Sequence, residues 1–91
     1  MKINFDFQIT DLSGNSIAEF NVSEIVANCI AGSNQGSPIR MMDIAMTIFK
    51  IKEVELTDAE MPLIKTIIET APILSNLSKA QLLERFNNKT E

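Results

Sequence analysis

Histidine, tryptophan and tyrosine are absent from this chain of 91 residues. Without histidine, no Ser-His-Asp or Cys-His nucleophile can be assembled. There is one cysteine, Cys29, so an internal disulfide is excluded. A zinc site loses its usual ligands for the same reasons. Base stacking would fall to five phenylalanines. The eight basic residues are scattered from Lys2 to Lys89, against twelve acidic ones, for a net charge of −4. That balance does not suit a nucleic-acid backbone, which calls for clustered Lys and Arg. No apolar run approaches the roughly 20 residues that cross a bilayer. The opening MKINFDFQIT alternates and carries Asp6, unlike a signal peptide. A cytoplasmic protein is expected, away from membranes. The three N-x-[ST] matches at Asn21, Asn76 and Asn88 then carry no glycosylation meaning.

Against these absences stands an ordinary globular composition, 45% hydrophobic and 22% charged. The length suits one domain spanning 1–91. Its centre is Ser37 to Ile51, SPIRMMDIAMTIFKI. Ile39, Met42, Met46 and Phe49 form one row at helical spacing. Met41, Ile44, Ala45, Ile48 and Ile51 form a second row beside it. A helix apolar over so much of its circumference is expected to be covered on several sides.

Residues 2–10 alternate, with Ile3, Phe5, Phe7 and Ile9 on one face, as in a half-buried strand. The turn formers DLSGNS follow. Residues 17–22 alternate again and complete a predicted β-hairpin. Ser23 is a candidate N-cap for a helix over 24–31, which Gly32 would stop. The loop GSNQGS leads to Ser37, a second N-cap, with Pro38 in the first position of a helix over 38–50. Thr57-Asp58-Ala59-Glu60 is a capping box, stapled by Leu56 and Met61, for a helix over 58–70. Pro62 falls at the fifth position of that helix, where it is expected to cost a hydrogen bond. A last helix over 73–86 starts at Ile73 or, from the box Ser78-x-x-Gln81, only after Ser78. The tail from 87 is polar and is expected to fray. The fold class predicted is α+β: a hairpin packed on a small bundle of about four helices.

Candidate sites are few. Cys29 reads as a small buried apolar residue. The loop before Ser37 lacks the lysine of a phosphate-binding loop. A helix N-terminus can hold an anion without any motif, so Ser37 and Arg40 mark the place for a small anionic ligand. Glu53, Glu55, Asp58 and Glu60 are the densest acidic group, without the spacing of a calcium loop. Three of the five methionines sit in the central segment, where they fill a core or line an adaptable surface.

The strings SEIVANCIAGS, SPIRMMDIAMTIFK, VELTDAEMPLIKTIIE and LSKAQLLERF, in that order, resemble small proteins encoded by tailed phages and prophages. The likeness covers roughly residues 20–86 and includes no catalytic motif. It implies a phage-associated soluble protein. Together these readings predict a non-catalytic interaction or assembly protein with no cofactor and no metal. Its partner would be another protein or a second copy. The surface expected is Phe5, Phe7, Phe20, Met41 and Met42, on the hairpin and the Met-rich helix. The alternative is a small inhibitor of a host defence system or host enzyme, which binds a protein or sequesters an anionic nucleotide.

Overall fold

The computed structural model describes residues 1–17 and 21–87. Six elements follow one another: β1 (Lys2–Asn4), α1 (Val22–Ala31), α2 (Pro38–Ile51), β2 (Glu53–Glu55), α3 (Glu60–Thr70) and α4 (Asn76–Asn87). The class is α+β, a two-stranded antiparallel sheet with four helices.

The packing closes a ring. α1 lies on α2, α2 on β2, β2 on β1, β1 on α4, α4 on α3, and α3 on α1. Each element thus has two neighbours and turns one side inward. The inward side chains, including Phe5, Ile9, Val26, Ile44, Ile48, Leu56, Ile64, Ile68 and Leu82, are at most 1% exposed. Burying them is the main favourable contribution to folding, about 1.5–3 kcal/mol for each large apolar side chain.

β1 pairs with β2, fifty residues away, in the register Lys2↔Glu55, Ile3↔Val54, Asn4↔Glu53. The period-2 alternation sends Ile3 and Val54 to the core and the flanking residues outward. Of the pairing expected between 2–10 and 17–22, the turn end is present. Thr10 bridges Ser16, and the Ile17 N–H donates to the Ile9 carbonyl at 2.8 Å. Residues 18–20, Phe20 among them, lie outside the described residues, as do 88–91 of the expected frayed tail.

Helix starts follow local chemistry, with three shifts from expectation: α1 begins at Val22, α3 at Glu60 and α4 at Asn76. Asn21, not Ser23, caps α1. Its Oδ1 accepts the Glu24 N–H at 3.1 Å, while Ser23 is buried in the first turn and donates to the same oxygen. Two capping residues stood two positions apart, and the one that lets Val22 reach the core won. Ser75, not Ser78, begins α4: its Oγ accepts the Ser78 N–H, and its carbonyl accepts the Lys79 N–H. The Thr57–Glu60 box forms as expected, with the Thr57 N–H on Glu60 Oε1 at 3.0 Å and the Glu60 N–H on Thr57 Oγ1 at 3.2 Å. α3 starts at Glu60, so Pro62 falls in its first turn, where N–H groups have no intrahelical partner, and the expected cost does not arise. α2 ends on Lys52, which adopts the left-handed conformation (φ 68°) and turns the chain at once into β2.

Candidate functional site

α2 presents two apolar faces. Met41, Ile44, Ala45 and Ile48 point inward and are at most 4% exposed. The other row points out: Ile39 is 86% exposed, Met42 46%, Met46 44% and Phe49 49%. At about 100° per residue, the outer four fall within an arc of about 80°, centred about 130° round the helix from the core-facing row. The expectation that this helix is covered on several sides is therefore corrected. In a ring of six elements α2 has only α1 and β2 to lean on, and neither reaches its outer face. Ile51, at the C-terminal end of the inner row, is also exposed.

The residues singled out from the sequence separate. Phe5 and Met41 are buried, so neither belongs to a surface. Phe5 meets Phe86 edge to face, with centroids 6.2 Å apart. Phe7 is half-buried under the Arg85 guanidinium, 3.7 Å from its ring centroid, a cation–π contact that occupies its face. Met42 is exposed and joins Ile39, Met46 and Phe49. Sequence reasoning had grouped these four as a row. It could not say which row faces outward, because that depends on where α1 lands.

Ser37 precedes α2, and its side chain makes no cap hydrogen bond. Arg40, in the first turn, is committed to its own chain. Its Nε and Nη2 hold Glu60 at 2.6 and 3.0 Å, its Nη1 holds Asp43 at 2.9 Å, and its Nη2 also reaches the Glu55 carbonyl at 3.2 Å. Four of the five guanidinium N–H groups are thereby used. Glu60, bound by Arg40 and by the Thr57 N–H, has its pKa lowered to about 2. The pair ties the start of α2 to the start of α3, and it leaves little positive charge at Ser37 and Arg40 for an anion.

A second feature was not visible in the sequence. A cavity of about 490 Å³ opens between the C-terminal ends of α1 and α3. Ile25, Ile67 and Ile73 give it an apolar wall, and Asn28, Asn34 and Thr70 a polar one. Cys29 lines it too, half-buried, and burial pushes its thiol pKa up. The thiol therefore stays protonated and is a poor nucleophile.

Among the described residues no three carboxylate or thiol side chains converge as a metal site requires. None of the helices described is long and apolar enough to cross a membrane. Compared with known protein families, curated proteins and solved structures, the chain matches none.

Proposed function

We propose that this chain is a non-catalytic interaction module that pairs with a second copy of itself through the outer face of α2. The observation that carries this reading is the row Ile39, Met42, Met46 and Phe49, exposed together on one rigid helix. Scattered apolar side chains on a surface need no explanation, whereas a contiguous patch marks a contact. The spacing of three, four and three residues is that of a helix seam, which is complementary to itself when a copy is turned by a two-fold axis. Asp43 and Lys50 flank the seam on one side, one heptad apart and opposite in charge. An antiparallel copy brings each toward its opposite number. Methionine suits such a face, since its flexible thioether fills an imperfect fit. A phage-type assembly role belongs to this reading and is supported by the sequence resemblance alone.

Methyl NMR with ¹³C-labelled methionine tests the idea on dilution. The Met42 and Met46 methyl resonances should move with protein concentration over the micromolar to millimolar range, while buried Met41 moves little. Concentration-independent spectra for all three would remove the reading.

A further inference from the structure

We infer that the cavity between the ends of α1 and α3 is a binding site for a small amphipathic ammonium ion, an alkyl or arylalkyl amine in its protonated form. None of the cavity residues comes from α2, so this inference stands apart from self-association.

Two helices end at this cavity. Gly32 and Ser33 follow α1, and Ala71 and Pro72 follow α3, and all four line it. Each helix C-terminus carries a partial negative charge from its unpaired carbonyls. In α2 and α4 a basic residue sits in the last turn, Lys50 and Arg85 respectively. In α1 and α3 there is none. The two uncompensated helix ends are thus the two that meet at the cavity.

The carbonyls themselves tell the same story. At the end of α1, the Gly32 and Ser33 N–H groups satisfy the Asn28 and Ile30 carbonyls. At the end of α3, the Ala71 N–H goes to Ile68, and Pro72 has no N–H to give. The carbonyls of Cys29 and Thr70, both residues of the cavity wall, take no donor among the described residues. Asn28 and Asn34 add side-chain amides and Thr70 a hydroxyl that donates to the Thr66 carbonyl, and no basic side chain lines the space. An ammonium group brings three N–H donors to those carbonyls and the positive charge that such a rim lacks.

The remaining wall selects what is attached to the charge. Ile25, Ile67, Pro72 and Ile73 are apolar, and Ile73 is otherwise 73% exposed. A hydrocarbon tail covers them, and the volume is within the range of small-molecule sites. An anion meets two negative helix ends here, and a neutral alcohol gains the apolar wall without the electrostatic part. Two helix ends favour the cation over its neutral isostere by about three- to thirtyfold.

The test titrates the full chain with hexylammonium, 1-hexanol and hexanoate. Binding is read from amide shifts at Gly32, Ser33, Thr70 and Ala71 and from the rate at which iodoacetamide alkylates Cys29. Hexylammonium should give saturable millimolar shifts and slow the alkylation. Hexanol should bind about tenfold more weakly, and hexanoate should not saturate. Thr70→Lys puts a tethered ammonium at the end of α3. It should raise the melting temperature and weaken hexylammonium about tenfold or more, and Asn28→Lys should do the same from α1. Equal binding of hexylammonium and hexanol would reduce the site to a plain apolar hollow and overturn the inference. So would the absence of saturable shifts, or unchanged affinity in both folded lysine variants.

Discussion

Arg40 and Glu60 join the first turns of α2 and α3 through a two-point contact, Nε to Oε2 at 2.6 Å and Nη2 to Oε1 at 3.0 Å. The same carboxylate accepts the Thr57 N–H in the turn that leads into α3. One side chain therefore closes that turn and anchors the neighbouring helix. Replacing it by Gln keeps the shape but removes the charge.

Glu60→Gln should cost about 1–2 kcal/mol at pH 7, the range for charge-assisted hydrogen bonds at a partly covered site. The pH dependence follows from the lowered pKa. Glu60 titrates at about 2 when folded and near 4.5, the ordinary value for its carboxyl, when unfolded. Its contribution is then complete above about pH 4.5 and is lost as pH falls toward 2. Urea unfolding of both proteins at pH 7 and at pH 2.5 should show the gap between them narrow in acid.

Gln81 reaches across the ring to Thr10, accepting its N–H at 2.9 Å and donating to its carbonyl at 2.8 Å. Thr10 bridges Ser16 on one side, and this amide satisfies its N–H and carbonyl on the other. Gln81→Ala should destabilise by about 1–3 kcal/mol, because two partly buried backbone groups lose their partner. Hydrogen exchange at the Thr10 amide should accelerate more than exchange in α2.

The two faces of α2 should respond unequally to truncation. Ile44→Ala leaves a cavity at a fully buried site and should cost about 2–5 kcal/mol. Met46→Ala, on the outer face, should stay within about 0.5 kcal/mol for the monomer. Chemical denaturation at low protein concentration separates the two.

Backbone strain gives a test of the opposite sign. Lys52 holds φ at 68°, a conformation that suits glycine. Its N–H caps α2 by donating to Ile48, and a substitution to Gly keeps that bond. Relief of about 1–2 kcal/mol of left-handed strain outweighs the about 0.5–1 kcal/mol of chain entropy that glycine adds, so Lys52→Gly should raise stability by up to about 1 kcal/mol. Gly36→Ala should do the reverse. Gly36 has φ of 69°, and an added Cβ would stand 3.0 Å from the Met41 side chain. Thermal unfolding of the two variants should bracket the wild type.

What the sequence allowed one to read follows the range of each interaction. The Thr57–Glu60 box, the Pro38 start and the Gly32 stop involve residues one to four apart, and all three stand. The two rows of α2 were legible from spacing. The outward row was not, because it is set by where α1 and β2 pack. Pairing of Ile3 with Val54 joins positions 51 apart, beyond the reach of local pattern, which shows only the turn formers at 11–16. At Asn21 and Ser23, and again at Ser75 and Ser78, two capping residues compete within one turn. In both cases the second of the two, Ser23 or Ser78, is buried within the first turn, and local pattern does not weigh that. The cavity arises where two helices end side by side, and no motif announces that. Arg40 and Ser37 were singled out by a helix start that here meets a carboxylate from a neighbouring helix.

Sedimentation equilibrium of the wild type and of Met46→Lys bears most directly on the proposal that the outer face of α2 pairs two copies. The wild type should show a reversible monomer–dimer equilibrium, in the micromolar range or weaker for an interface this small. Met46→Lys should stay monomeric at the same concentrations with its melting temperature at low concentration unchanged. A wild type that remains monomeric into the millimolar range, or a lysine variant that dimerises as strongly as the wild type, would contradict it.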